Sequence, residues 1–277
     1  LIRNLKRVKS YTTEAIYNSL EEFYSGSSVP VKLQRFLQRI EILYSKRLFD
    51  LADKLIHKAK KMALLHEQYE YLLLLAYFET DMMLKLTNTE KINKYLAEPN
   101  AEAFYLERLK NIIDFRQLSI RGYGTLVQGE GESTQGHSTA KKILTSELLS
   151  SPSKALTFSS LRDYYYLHLI CSRMLGKWDE NTHARQKEWV SYLEQEQLNI
   201  PDKAALYFNA LSHLLGTASE LKTNSAEEVD EIFDKAKTFY VLLPAKERNK
   251  NVLSVFANLT MNYMYAQHHM HRPEKAV

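Results

Sequence analysis

The chain has 277 residues, 45% of them apolar and 25% charged, with eight glycines, six prolines and a net charge of +4. That composition reads as a soluble globular chain in which abundant Leu, Ala, Lys and Glu favour helices over strands. The single cysteine, Cys171, excludes an internal disulfide framework and fits a reducing, cytoplasmic compartment. The longest apolar run, Tyr71–Phe78, has eight residues, far below the roughly 20 that cross a bilayer, so no membrane span is expected. No break in composition divides the chain, which predicts one domain over 1–277.

From the start, Thr12–Tyr24 predicts an amphipathic helix with Ile16, Leu20, Phe23 and Tyr24 on one side, closed by Ser25-Gly26-Ser27-Ser28. Leu33–Leu64 then reads as a helical hairpin. Phe36, Ile40, Leu43 and Tyr44 mark its first helix, and Leu51, Ala52, Leu55, Ile56, Ala59, Met62 and Ala63 its second, with Ala52 and Ala59 where the two approach. Glu67–Leu86 is apolar nearly all round, which places it inside a stack, with Tyr69 and Tyr77 in core registers. Thr87 with Glu90 offers a capping box for a short helix to about Ala97, and Ser225 with Glu228 offers a second box downstream.

Ala101–Arg121 predicts a further helix. Five of the eight glycines fall between Gly122 and Gly136, so residues 122–137 read as a flexible, glycine-rich loop. Helices are then expected over about 138–150, 153–175, 180–197, 201–219, 225–243 and 246–270, with Pro152, Pro201 and Pro244 at or near their starts. Charge is uneven: residues 1–61 carry thirteen Lys/Arg against six Asp/Glu, a net of +7. Without an accompanying glycine-aromatic signature this reads as a solvated face, and nucleic acid is not an expected partner.

Small or β-branched residues recur at Ala52, Ala140, Ala184, Val229 and Ala276, at intervals of 88, 44, 45 and 47. Within these, Ala52-Ile56-Ala59 and Val229-Phe233-Ala236 place small, large and small side chains as in the second helix of the tetratricopeptide repeat, which the chain resembles. The units are longer than that family's 34 residues. Phe36, Arg39 and Ile40 also depart from its first-helix signature. The resemblance implies an all-α fold, a right-handed α-α superhelix of about six helical hairpins. It also implies a protein- or peptide-binding scaffold with a concave face lined by first helices. Asn209, His213, Asn258, Asn262, Tyr265 and His268 are the candidate contacts on that face. Pro273-Glu274-Lys275-Ala276 looks like the start of another second helix, so a longer parent chain is expected.

Catalytic and metal chemistry find little support in the spacing. Gly122-Tyr123-Gly124 and Gly129-Glu130-Gly131 lack the Gly-Lys-Ser/Thr of a phosphate loop and carry Glu130 and Glu132 beside them. His268 and His271 give two donors three residues apart, too few for a metal site. His168 precedes Cys171 by one turn, a spacing open to a thiolate–imidazole pair but equally to a packed core. The expectation is a binding protein, not an enzyme, with no cofactor and no metal. The alternative is a sensory or regulatory segment of a larger signalling or transcription protein.

Overall fold

The computed structural model of the chain describes residues 2–24, 28–86, 89–97, 101–195, 203–221 and 226–272, with all their side chains but those of 2–5, 21–24, 91 and 94. The protein is all-α. Its helices are α1 (Ile2–Tyr24), α2 (Val29–Ser45), α3 (Phe49–Leu65), α4 (Tyr69–Leu86), α5 (Thr89–Ala97), α6 (Ala101–Val127), α7 (Thr134–Leu144), α8 (Phe158–Met174), α9 (Glu180–Gln195), α10 (Lys203–Glu220), α11 (Ala226–Leu242) and α12 (Lys250–His269). No strand occurs among the described residues. The chain divides within α6 into two compact units, Leu1–Lys110 and Asn111–Val277, where the composition had pointed to one domain.

In the first unit α2, α3, α4 and α5 pack in chain order. The inner stripe of α3 is Ala52, Ile56, Ala59 and Ala63, all fully buried, so the small residues of the predicted hairpin do sit where helices approach. The turns after α2 and α3 are built alike. Arg47 (φ 58°) and Glu67 (φ 51°) adopt the left-handed conformation. Their amides donate to Tyr44 O and Leu64 O, and the next amides, of Leu48 and Gln68, donate to Leu43 O and Ala63 O. This double bond from the two residues past a helix is the Schellman closure, here made without glycine. At the other end of α2 the Ser28 hydroxyl accepts from the Val31 amide, with Pro30 inside the first turn, where its missing N–H costs nothing.

Three expectations fail in this unit. Leu55 is only partly buried, because the inward stripe of α3 passes through Ile56 beside it. Tyr77 is 63% exposed, and Leu74 and Leu84 lie on the same open side of α4, so this helix is covered on one flank only. Ile16 and Leu20 of α1 are also exposed.

The second unit holds the larger core. Successive helices pack from α7 to α12, and α10 also packs against α12, two helices further on. That core includes Phe115, Ile143, Leu167, Met174, Trp189, Leu193, Phe208, Leu211 and Leu259. The segment read as a glycine-rich loop is mostly helix: α6 continues to Val127 and α7 begins at Thr134. Gly122 serves contact instead of flexibility, since a Cβ there would lie 3.2 Å from Ile170 and 3.3 Å from Ile143. Gly136 lies in the first turn of α7, capped by the Ser133 hydroxyl, and a Cβ there would come within 2.1 Å of Glu130 O.

Other sequence boundaries shift by physical causes. Pro152 opens a 3-10 turn, and α8 starts only at Phe158, where the Thr157 hydroxyl accepts from the Ser160 amide at 3.0 Å. Pro244 likewise precedes a 3-10 turn. Gly176 (φ 60°) closes α8 with the same Schellman pair. Ala140 and Val229 are fully buried as the repeat markers require, but Ala184 is exposed. In α9 the inward positions are Thr182, His183, Gln186, Trp189, Val190 and Leu193, so the register is rotated by one residue. Thr87, Ser225, Pro201 and 273–277 lie outside the described residues.

Candidate functional site

Within the second unit, α6, α8 and α10 each turn one face into a shared groove. On α8 that face is Arg162, Tyr166, Leu169 and Arg173, spaced 4-3-4 and therefore one stripe along the helix. On α6 it runs from Arg116 and Ser119 to Tyr123, Leu126 and Val127, and on α10 from Leu206 and Asn209 through His213 to Gly216 and Thr217. Residue numbers rise in the same direction on all three, so these alternate helices run parallel. Ser212 and Asn262 (2.7 Å) with Phe208 and Phe256 (centroids 5.1 Å) set α12 parallel to α10 as well.

The groove holds two adjoining cavities, of about 440 and 420 Å³. Tyr166 and His213 border both, stacked with centroids 5.8 Å apart. Gln186 and Trp189 of α9 close the first cavity, and Trp189 is fixed by stacking against Tyr165 (5.2 Å) and Tyr192 (5.7 Å). Trp178, before α9, borders the second. The protein's two tryptophans thus sit one in each cavity wall.

The groove is cationic. Arg162 donates to the Asp163 carboxylate at 2.8 and 3.0 Å, and the two charges offset each other. Arg116 in the first cavity and Arg173 in the second have no ion-pair partner among the described residues. His213 adds no charge at neutral pH, since burial pushes its imidazole down to about 4. Burial raises the Tyr166 hydroxyl, Tyr123 raises it further, and the nearby Arg173 opposes the shift. A site of this kind offers apolar walls, amide and hydroxyl groups for hydrogen bonds, and two free guanidinium forks suited to carboxylates.

Of the six residues proposed from sequence, the groove gathers Asn209, His213 and Asn262. Asn258, Tyr265 and His268 are exposed on α12 and border neither cavity. Tyr265 stacks on His269 (6.2 Å) instead. The residues that sequence reasoning passed over are Arg116, Arg162, Tyr166, Arg173, Trp178 and Trp189. The 4-3-4 stripe on α8 was the available signal, though without the neighbouring helices it reads as an ordinary amphipathic face.

Two other polar clusters are structural in geometry. Burial alone pushes the Cys171 thiol up to about 12, and burial pushes the His168 imidazole down to about 4, so neither carries charge at pH 7. His183 joins Thr217 Oγ1 (2.9 Å) to Glu228 Oε1 (3.1 Å), a hydroxyl–imidazole–carboxylate chain. Thr217 is 2% exposed, however, and its hydroxyl donates to Leu214 O, so this chain ties α9, α10 and α11 together. Lys187 also binds Glu228, at 2.5 Å. Past α12, His271 stands in a left-handed turn and shares no helix face with His268. Among the described residues no three His, Cys, Asp or Glu side chains are grouped to hold a metal.

Fold and groove define the class: an all-α protein of packed helices with an open, cationic cleft in its second unit. No helix among the described residues is long and apolar enough to cross a membrane. No protein-family model, curated protein or solved structure matches the chain.

Proposed function

We propose that the protein is a non-catalytic, tetratricopeptide-like helical-repeat scaffold whose groove between α6, α8 and α10 holds an extended segment of a partner protein. The observation that carries this reading is the parallel alignment of alternate helices around one cleft. A stack of helical hairpins puts its first helices side by side in this way, while its second helices form the outer layer. The packing of α10 against α12, past the intervening α11, follows the same rule. A cleft with two cavities in line suits a chain laid along it better than a compact ligand. His213, the one histidine that borders the described cavities, is held neutral at physiological pH by burial, which suits it to hydrogen bonding and stacking against a bound chain. Cys171, free and buried, suits a reducing cytoplasm.

The test is to fill the groove. A Cβ at Gly216 meets nothing within 4 Å, and Asn209 is exposed at the first cavity. Gly216→Trp and Asn209→Trp should therefore fold normally and block one cavity each. Peptides selected from a random display library on the native protein should lose binding to both variants. Selected peptides that bind both variants as well as the native protein would overturn the assignment.

A further inference from the structure

We infer that the segment held in this groove is acidic, an extended peptide carrying two carboxylate side chains about five residues apart with apolar residues between them. The inference rests on the groove reading above and adds the partner's chemistry to it. Arg162 and Asp163 cancel, which leaves Arg116 and Arg173 as the free charges, one per cavity. Among the described residues neither cavity has a free carboxylate: Asp163, the only acidic one of them bordering the cavities, is held by Arg162.

The spacing follows from α8. Arg162 and Arg116 border the same cavity and Arg173 the other. From Arg162 to Arg173 the helix rises eleven residues, roughly 16 Å at 1.5 Å each. An extended chain advances about 3.3 Å per residue, so roughly five residues cover the length of groove from the level of Arg162, whose cavity Arg116 shares, to Arg173. Between them the walls are Tyr166, Leu169, Leu206 and the apolar side of α6, which favours apolar side chains in the middle of the ligand.

Single-stranded nucleic acid fits less well. Such ligands need a run of cations along the backbone and open aromatic faces for stacking. Here two free arginines are separated by apolar wall, Trp189 is 3% exposed, and Tyr166 and His213 stack on each other.

The two tryptophans make the test direct. Intrinsic fluorescence of the native chain is titrated with the blocked hexapeptide acetyl-Glu-Leu-Ala-Leu-Ala-Glu-amide, and with versions in which both Glu are Gln or both are Lys. The acidic peptide should bind at least about tenfold more tightly than the Gln peptide, and the Lys peptide more weakly still, with a contrast that shrinks as salt rises. Arg116→Gln and Arg173→Gln should each weaken the acidic peptide by about tenfold and leave the Gln peptide unchanged. Both arginines are exposed, so unchanged melting temperatures check that the variants fold. Gln and Glu peptides that bind equally, while Gly216→Trp abolishes both, would overturn the acidic partner and leave the groove assignment standing. No binding by any of the three peptides, or binding indifferent to Gly216→Trp, would overturn both. Displacement of the acidic peptide by a single-stranded oligonucleotide at lower concentration than by itself would transfer the arginines to nucleic acid and overturn this proposal.

Discussion

Asp230 on α11 anchors the end of the second unit, and removing its carboxylate should cost about 2–4 kcal/mol. Its oxygens accept from the Tyr263 hydroxyl (2.9 Å), the Gln267 side-chain amide (2.7 Å) and the Arg272 guanidinium (3.0 Å). Tyr263 and Gln267 are buried, so Asp230→Ala strands two donors out of water, each at a cost of about 1–3 kcal/mol. Arg272 is better solvated and its pairing adds little. Stacking of Phe233 on Tyr263, with centroids 3.9 Å apart, survives the change and limits relaxation. For a unit of this order of size, thermal melting falls by about 2–4 °C per kcal/mol, which gives a drop of roughly 4–16 °C by circular dichroism. Asp230→Asn, which keeps one acceptor, should lose less than half as much. A double-mutant cycle with Tyr263→Phe should return a coupling on the order of 1 kcal/mol. An Asp230→Ala protein that melts within 1 °C of the native one would refute the reasoning.

Three further outcomes are expected. Arg47→Gly relieves a left-handed residue at the α2–α3 turn and should stabilise by about 0.5–1 kcal/mol net of the gain in unfolded-chain entropy; destabilisation on urea titration would show that the Arg47 side chain matters more than its backbone. Gly136→Ala should cost about 3 kcal/mol, because the added methyl meets the backbone oxygens of Glu130 and Gly131 at 2.1 and 2.3 Å; a native-like melting temperature would mean that this turn is loose. His168 is held neutral in the fold by burial, at about 4 against 6.5 when unfolded. The unfolded chain then binds more protons between these values, so stability is complete above pH 6.5 and is lost as pH falls toward 4. Melting temperatures measured across that window should fall less steeply in His168→Phe, and an identical slope would contradict the assignment.

The helical hairpins were legible because their signal is local. Ala52, Ile56 and Ala59 share a face by spacing alone, and that face is buried. Gly122 and Gly136 were misread because glycine favours loops by backbone freedom, whereas here it is required by neighbours from α7 and α8 or from the preceding turn, which no local pattern reveals. Tyr77 fits a core register, yet whether α4 is covered on both sides depends on distant chain. The groove was half visible for the same reason. His213 and Asn209 lie on a helix whose inward face is set by its own periodicity. On α12, Asn262 is turned to the groove by its bond to Ser212, while Asn258 and His268 are not. Arg116 and Arg173 become a pair only when α6 and α8 lie side by side.

Hydrogen–deuterium exchange with and without a bound peptide tests the groove most directly. Added protection is predicted over residues 116–127, 162–173 and 206–217, with little change in α11 or in residues 29–86. Protection concentrated in the first unit, or on α9 and α11 with α6, α8 and α10 unaltered, would contradict the account.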